Sequence, residues 1–483
     1  MKRSAIPCLL LVAAIAGCGR GEEPPVETEV ENVEPRIARI VGAVVPSVAI
    51  RNRGVETSTL AERMEALGVP GVSIAVITDG AIDWARGYGL ADVEGNRPVT
   101  QATLFQAASL SKPVAALAAL RLVHDGGLDL DSDVNSRLRS WKVPENDFTR
   151  SHPVTLRGLL SHSAGLTVHG FPGYERSGPI PSTVQVLEGD GNTGPVVVDR
   201  QPSSAYRYSG GGYVVMQLLL SDAAGKPFPA IAKETVLDPI GMNDSTFEQP
   251  LPEALYDRAA TGYRSDGAEV EGKWHVYPET AAAGLWTTPS DLARYIIAVQ
   301  KSRAGVEGAF LPAGLAGEML TPVIEAHGLG PALQANGTRF AHGGANEGYR
   351  AVFTALIGRD EGVVIMANSD GAGPLLRELL ITIAREYGWP GIEPMVKDIV
   401  DLGESVYRSL EGTYAIEGTG EVSIDYVEGE LWADIPGGRK VQLLPESDTD
   451  FFMLHDGRPV VFIREGDAIT GFESAGLRAR KVD

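Results

Sequence analysis

Two strand hairpins and one apolar helix are the strongest patterns of hydrophobic and polar positions in the chain. Residues 72–77 form a β-branched, alternating run, residues 82–88 form the returning run, and the Asp-Gly pair between them predicts a hairpin. Residues 349–357 and 363–368 predict a second hairpin by the same pattern. The Ala- and Leu-rich run 110–125 ends at two glycines, which predicts a helix that stops there.

The remaining patterns divide the chain into regions. Short helices are expected at 58–67 and 375–387, and residues 128–335 mix short helices with Gly- and Pro-rich loops. After residue 401 the pattern changes to short strand-like runs separated by turn residues, with no helix expected. These runs are 412–416, 422–426, 431–435, 440–444, 451–454, 460–464, 469–473 and 477–482. They predict a small meander or up-and-down barrel over 401–483.

The first residues have the pattern of an export signal. A basic start precedes an apolar run, 6–15, which is too short to span a bilayer and ends in Ile-Ala-Gly-Cys at Cys18. This resembles the lipobox of bacterial lipoproteins, so 1–18 is expected to be a signal peptide with Cys18 lipidated; an ordinary secretory signal is the alternative. Residues 19–56 are acidic and rich in Pro, Val and Glu, which predicts a disordered linker.

Charge and cysteine content narrow the classes of function. The formal net charge of -21 over 483 residues predicts repulsion from phosphate backbones and anionic lipids. We therefore expect no nucleic-acid partner, and membrane attachment only through Cys18, on the periplasmic side of a bacterial membrane. Cys8 would leave with the signal, so the mature chain would have no disulfide and no thiol nucleophile.

Ser109 and Lys112 form the only Ser-x-x-Lys in the chain, where a loop enters the predicted helix 110–125. Residues three apart share a helix face, so the serine Oγ and the lysine Nζ can meet. The helix N-terminus favours a developing alkoxide and disfavours a charged amine, and a lysine with a lowered pKa can accept the serine proton. The sequence therefore predicts a serine nucleophile with a lysine base. No Gly-x-Ser-x-Gly elbow, His-Glu-x-x-His motif or Walker loop offers a competing chemistry.

The segment from Phe105 to Pro113 resembles the serine β-lactamase and penicillin-binding-protein superfamily. Its nearest branch is that of the class C β-lactamase-like hydrolases, with family VIII esterases and D-amino-acid peptidases. Further segments resemble the family's in the same order: LLSHSAGL (159–166), LDPIGMNDSTF (237–247) and AAGLWTTPSDLARY (282–295). His162, in the first of these, is expected by analogy to be structural rather than a base.

The resemblance implies the other site residues. Tyr208 takes the place of the family's proton-shuttling tyrosine, which would need its pKa lowered by cations such as Lys112 and His342. Gly210 replaces the family's Asn, which shifts the expectation away from efficient β-lactam binding. His342 and the two glycines after it match the third motif, and His342 would stabilise negative charge or tune Tyr208.

The resemblance also implies the oxyanion donors, which are the backbone N–H groups of Ser109 and Ala345. The substrate-binding positions are Gly210, Gly344 and Asn346.

The implied fold is α+β and β-lactamase-like over 57–390, followed by a lipocalin-like barrel. A five-stranded antiparallel sheet would be flanked by helices, with a mostly helical subdomain beside it. The implied reaction is acyl transfer through Ser109 on ester or amide bonds of small or D-peptide-like substrates, with no metal or cofactor. A β-lactamase proper, a D-Ala-D-Ala carboxypeptidase and a non-hydrolytic penicillin-binding or scaffold relative stay as alternatives. The barrel is expected either to form a homo-oligomer or to shape access to the cleft.

Overall fold

The computed structural model describes residues 33–51, 53–416, 420–435 and 439–482. The expected signal peptide, including Cys18, and residues 19–32 of the expected linker lie outside the described residues. The helices are α1 (Glu34–Gly42), α2 (Leu60–Ala66), α3 (Ser111–His124), α4 (Leu156–Leu160), α5 (Thr183–Glu188), α6 (Gly210–Ala224), α7 (Phe228–Ala232), α8 (Thr280–Ala283), α9 (Pro289–Arg303), α10 (Ala313–Met319), α11 (Gly373–Tyr387) and α12 (Glu404–Leu410). The strands are β1 (Val48–Ile50), β2 (Gly71–Thr78), β3 (Ala81–Asp92), β4 (Arg97–Pro98), β5 (Phe105–Gln106), β6 (Trp286–Thr287), β7 (Ala332–Gln334), β8 (Arg339–Asn346), β9 (Tyr349–Leu356), β10 (Glu361–Ala367), β11 (Met395–Lys397), β12 (Gly412–Ile416), β13 (Gly420–Val427), β14 (Glu430–Ile435), β15 (Arg439–Pro445), β16 (Asp450–Met453), β17 (Pro459–Glu465), β18 (Ala468–Ser474) and β19 (Leu477–Lys481).

The main sheet is antiparallel with strand order β4-β3-β2-β10-β9-β8-β7. Its five long central strands are the two hairpins and the His342 strand of the prediction, and the short strands β4 and β7 extend its two edges. Side chains alternate between two cores, because successive strand residues point to opposite faces. Ile74 and Val363 pack with α1, α2 and α11, whereas Ala75 and Val364 join the larger core that contains α3, α6 and α9. The predicted β-lactamase-like fold class is confirmed.

The expected disordered linker is wrong where the structure describes it. Residues 34–42 form α1, whose Ile37 and Ile40 are buried against the α11 side of the sheet. Arg39 on its outer face pairs with Glu386 of α11, and β1 pairs in parallel with β11. Isoleucines three residues apart are the spacing of an amphipathic helix, and the acidic, Pro-rich composition of the region hid this short stripe.

Helix α3 lies at the centre of the larger core. Every residue from Ser111 to Leu120 is buried, so this helix is held on all sides and its N-terminus is fixed. Helices α6, α7 and α8 contact it, and the helices α4 to α10 share its core and form the expected helical region beside the sheet. In the part of the chain that the structure describes, no helix is long and apolar enough to cross a membrane.

The C-terminal region is a closed barrel of the eight strands β12 to β19, which confirms the predicted all-β module. Aromatic side chains fill its interior, with Phe451, Phe462 and Phe472 in edge or tilted contact around Tyr414. The expectation of no helix after 401 is wrong, because α12 precedes the first barrel strand. Its Leu410 is fully buried in the barrel core, and this anchoring holds a helix too short to be stable alone.

Candidate active site

Ser109 stands at the entrance of α3 on a strained turn. The residue before it, Ala108, has a φ of 51°, a left-handed conformation that costs free energy for any residue with a Cβ. The turn is held from several directions: the N–H of Ala107 donates to the Leu285 carbonyl (2.8 Å), and Ser111 Oγ donates to the Ala108 carbonyl (2.5 Å). Ser109 is half-buried in a run that is otherwise buried, so its hydroxyl remains reachable.

Lys112 reaches back to Ser109 as the sequence predicts. Its Nζ lies 3.0 Å from Ser109 Oγ and 2.8 Å from the Ala282 carbonyl of α8. The side chain is 2% exposed, and this burial lowers the pKa of Lys112 to about 7. An amine with such a pKa is largely unprotonated in mildly alkaline solution and can accept the serine proton.

Tyr208 lies on the other side of the pair, with its ring centre 4.9 Å from Lys112 Nζ. Burial raises the pKa of Tyr208 to about 12, and its contact with the Ser109 side chain lowers that pKa by less. The expectation that nearby cations would lower the pKa of this phenol is therefore wrong. Tyr208 is a neutral phenol that can donate a proton, and Lys112 is the neighbouring group that can accept one.

His342 completes the cluster from strand β8, with its ring centre 6.1 Å from that of Tyr208. Burial, and secondarily the charge of Lys112, lower the pKa of His342 to about 3. Its Nδ1 lies 2.7 Å from the Gly343 carbonyl, an acceptor, so Nδ1 carries the hydrogen and Nε2 is free of it. The ring is thus neutral at physiological pH and does not supply the second cation that the sequence analysis expected.

Strand β8 passes close to the Ser109 turn because Gly344 has no side chain. A Cβ at Gly344 would lie 2.4 Å from the Ala107 carbonyl oxygen. The next residue, Ala345, is exposed and pairs with Arg350 of β9; its role as an oxyanion donor stays a prediction. Asn346 is buried and its Nδ2 donates to Gln106 Oε1 (2.7 Å) and to the Ala283 carbonyl (3.1 Å). This amide nitrogen therefore connects β8 with β5, which precedes Ser109, and with α8, whose Ala282 carbonyl accepts from Lys112. A substrate contact of Asn346 also stays a prediction.

Gly210 is the first residue of α6, and a neighbouring loop occupies the space that a side chain there would need. A Cβ at Gly210 would lie 2.9 Å from Phe171 Cε2 and 3.1 Å from the His169 carbonyl oxygen. The Gly210 N–H donates to that same carbonyl at 3.0 Å. The site therefore has an aromatic wall at the position where the resemblance implies an amide.

Sequence reasoning expected His162 to be structural, but it did not place this residue and the other aromatic residues around Tyr208. His162 stacks on the Tyr208 ring at 4.2 Å between centres, and His169 lies 4.8 Å from it. Tyr206 stacks on His327, whose Nε2 lies 3.1 Å from the Tyr206 phenol oxygen. The spacing of two between Tyr206 and Tyr208 was a usable signal. His327 gave none, because it is far away in sequence and stands in an irregular segment. Among the described residues, no group of three or more His, Cys, Asp or Glu side chains is arranged to hold a metal ion.

A turn with a reachable serine, a buried lysine base and a neutral phenol defines a serine hydrolase of the Ser-x-x-Lys type. The Beta-lactamase family model matches residues 57–386, so the chain belongs to this family of serine hydrolases. A penicillin-binding protein of Bacillus subtilis is 24% identical over 447 residues, covering 86% of this chain and 94% of its own length.

Two further comparisons bear on the fold and on the class of hydrolase. Esterase EstB of Burkholderia gladioli is 33% identical over 219 residues, which are 43% of this chain and 53% of the esterase. The solved structure of an octameric penicillin-binding protein homologue from Pyrococcus abyssi superposes with a TM-score of 0.62 at 22% identity, covering 87% of this chain and 98% of that one. The similarity in fold between the two proteins therefore extends over most of this chain.

Proposed function

We propose that the protein hydrolyses esters or small neutral amides through an acyl-enzyme at Ser109. The observation that carries the proposal is the 3.0 Å contact between Ser109 Oγ and the Nζ of Lys112, whose pKa is lowered to about 7. Lys112 takes the Oγ proton as Oγ attacks the substrate carbonyl. The backbone N–H groups of Ser109 and Ala345 receive the oxyanion. The tetrahedral intermediate then expels an alcohol or amine.

Tyr208 transfers a proton to the departing oxygen or nitrogen and is reprotonated from the ammonium of Lys112. Water then attacks the acyl-enzyme, giving its proton to Lys112, and the carboxylic acid leaves Ser109 with its hydroxyl restored. The neutral state of Tyr208 supports the role of proton donor, because a phenol with a pKa near 12 holds its proton at physiological pH. His342 lines the pocket as a neutral ring.

The charges near the site favour substrates that are neutral around the scissile bond. No carboxylate contributes to the pKa shifts of Lys112, Tyr208 or His342 among the described residues. Arg207, which precedes Tyr208 in the chain, is paired with Asp199. Arg350, which is opposite Ala345 in the sheet, is paired with Asp370. A carboxypeptidase needs a free cation for the terminal carboxylate of its substrate, so these pairings support an esterase-like activity, as does the similarity to an esterase.

Hydrolysis and intact mass together test the proposal. We expect steady release of p-nitrophenol from p-nitrophenyl acetate by the wild type, loss of release in Ser109→Ala, and retention in Ser265→Ala, an exposed serine outside the site. A chromogenic cephalosporin is incubated in parallel. A stable adduct on Ser109 without turnover of either compound would contradict the hydrolase and favour a penicillin-binding relative. Rapid cephalosporin turnover would favour a β-lactamase proper, and absence of labelling an inactive relative.

We also propose that the chain is exported and lipid-anchored through Cys18 on the periplasmic side of a bacterial membrane. The basic start, the apolar run and the Cys18 context support this. Self-association is a further proposal, supported by the octameric state named for the Pyrococcus abyssi homologue. Light scattering of the purified protein measures the mass directly, and a monomer mass at all concentrations would contradict it.

A further inference from the structure

His162 holds the segment around Tyr208 at three consecutive residues. The N–H of Arg207 donates to the His162 carbonyl (2.8 Å), and the N–H of Ser209 donates to His162 Nδ1 (3.1 Å). Between these two anchors, the imidazole stacks on the Tyr208 ring at 4.2 Å with the planes 30° apart. One residue therefore fixes both the backbone on either side of Tyr208 and the plane of its ring.

The conformation of His162 is itself constrained. Its φ is 58°, in the left-handed region, and its side chain is 2% exposed. The ring of Tyr213, in the first turn of α6, lies 5.2 Å from the imidazole on another side. A strained backbone that persists in a fully packed place is over-determined by its surroundings, and such residues are concentrated at functional sites.

The hydrogen bonds of the His162 ring favour a role in positioning Tyr208 over a role in proton transfer. Nδ1 accepts from Ser209, so Nε2 carries the hydrogen, and Nε2 is buried without a partner in the described structure. In the described part of the chain, neither ring nitrogen of His162 is hydrogen-bonded to Ser109. Among the described residues, the direct ring contact of His162 with the proposed reacting groups is its stacking on Tyr208.

We propose that His162 is the positioning residue for Tyr208, holding the phenol where it meets Ser109 Oγ and the leaving group. The proposal rests on the proposed function, in which Tyr208 protonates the leaving group. It replaces the expectation that this histidine serves the fold alone. A misplaced phenol would slow the expulsion of basic leaving groups and leave attack by Ser109 largely intact.

The leaving group provides a readout that a merely structural role would not move. Nitrophenolate departs without a proton, whereas ethoxide needs one. His162→Asn keeps an acceptor oxygen near the place of Nδ1 and removes the stacked ring. We expect kcat/KM for ethyl acetate, which reports acylation, to fall about tenfold or more in this variant, and kcat/KM for p-nitrophenyl acetate to fall less than about threefold, since general acid catalysis typically contributes 10²–10⁴-fold. Tyr208→Phe should give the same selective pattern, and the double variant should lose little more than Tyr208→Phe alone.

Two controls keep the outcomes separate. His152→Asn, at an exposed histidine, should leave both rates unchanged. Equal loss on both esters in a folded His162→Asn protein, or no loss on either, would overturn the proposal. An inactive wild type would instead defeat the proposed function, and the ring position is then read from tyrosines labelled with ¹³C. The Tyr208 signal, assigned with Tyr208→Phe, should shift in His162→Asn when the ring current is removed, and an unmoved signal would also overturn the positioning role.

Discussion

At the residue scale, burial decides the protonation states of the groups in the site. Lys112, Tyr208 and His342 are each shifted chiefly by desolvation, which disfavours the charged form of every group it affects. The amine, the phenol and the imidazole are thereby all pushed toward neutrality. A neutral amine can accept a proton and a neutral phenol can donate one, so one physical effect supports both of the proposed roles.

The pH dependence of activity follows from the pKa of Lys112. Because the unprotonated amine is the active form in the proposed mechanism, kcat/KM for p-nitrophenyl acetate should rise with pH through about 7 and stay high into the alkaline range. Tyr208 holds its proton until about pH 12 and adds no fall below that value. A profile that falls between neutral and mildly alkaline pH would show that a protonated group, rather than a free amine, is required.

The same shift makes stability depend on pH, with a definite sign. The pKa of Lys112 is lowered from 10.5 to about 7, so between these values the unfolded chain binds more protons than the folded one. The penalty of this lysine is therefore full below about pH 7 and fades as the pH approaches 10.5. Lys112→Met should abolish hydrolysis and flatten the rise of melting temperature across this window. An equally steep rise in the variant would assign the dependence to other groups, and Lys142→Met, at an exposed lysine, is the matched control.

Gly210 and Phe171 should be coupled in stability. An Asn at position 210 meets the Phe171 ring, and overpacking of this kind typically costs about 1–3 kcal/mol. Gly210→Asn should therefore lower the midpoint of urea unfolding, and Phe171→Ala in the same chain should recover part of the loss. The two single variants and the double variant form a cycle that measures the coupling. Strict additivity of the two changes would mean that the ring does not limit the space at this position.

At the scale of elements, sequence patterns that repeat over many residues were sufficient to predict helices and strands. Features that depend on contacts with distant segments of the chain could not be predicted. The hairpin of β2 and β3, the helix α3 and all eight barrel strands follow from local periodicity and turn residues. Ser109 and Lys112 could be predicted because three residues of one helix connect them. The aromatic wall at Gly210 could not, because Phe171 comes from a loop whose path is set by hydrogen bonds to other segments.

Helix α1 shows the opposite error. The acidic, Pro-rich composition of its region predicts a linker, whereas the spacing of its two isoleucines predicts a short helix. Its two isoleucines carry the packing, so Ile40→Asp should lower the free energy of unfolding by about 2–5 kcal/mol, the range for removing a buried aliphatic side chain. Ala38→Asp places the same charge on the exposed side of the same helix and should have little effect. Equal effects of the two substitutions in urea unfolding would mean that residues 34–42 do not pack on the sheet in solution.

At the scale of the whole molecule, the N-terminal segment and the segment before the barrel connect the catalytic unit with the barrel. Strand β1 pairs with β11, and Lys397 of β11 bonds Glu446 at 2.9 Å and lies over the Phe452 ring. The Val400 N–H donates to the Pro445 carbonyl of β15 at 3.1 Å. The barrel interior is filled by its own aromatic residues. The contacts between the barrel and the segment before it are therefore made on the outer side of the barrel. In the segment from α1 to β1, α1 thus packs on the catalytic unit, and β1 pairs with β11, which precedes the barrel.

The position of α1 sets the reach of the proposed lipid anchor. Only residues 19–33 separate Cys18 from α1, and fifteen residues span at most about 50 Å even when fully extended, so the start of α1 would stay within that distance of the membrane surface. In a bacterial host fed an alkyne-labelled fatty acid, the wild type and Cys8→Ser should incorporate the label and sediment with membranes, because Cys8 lies within the expected signal. Cys18→Ser should be unlabelled and recovered in the soluble fraction, while its purified form keeps the esterase rate of the wild type. Label retained in Cys18→Ser, or absent from the wild type, would leave an ordinary secretory signal as the explanation of the N-terminal pattern.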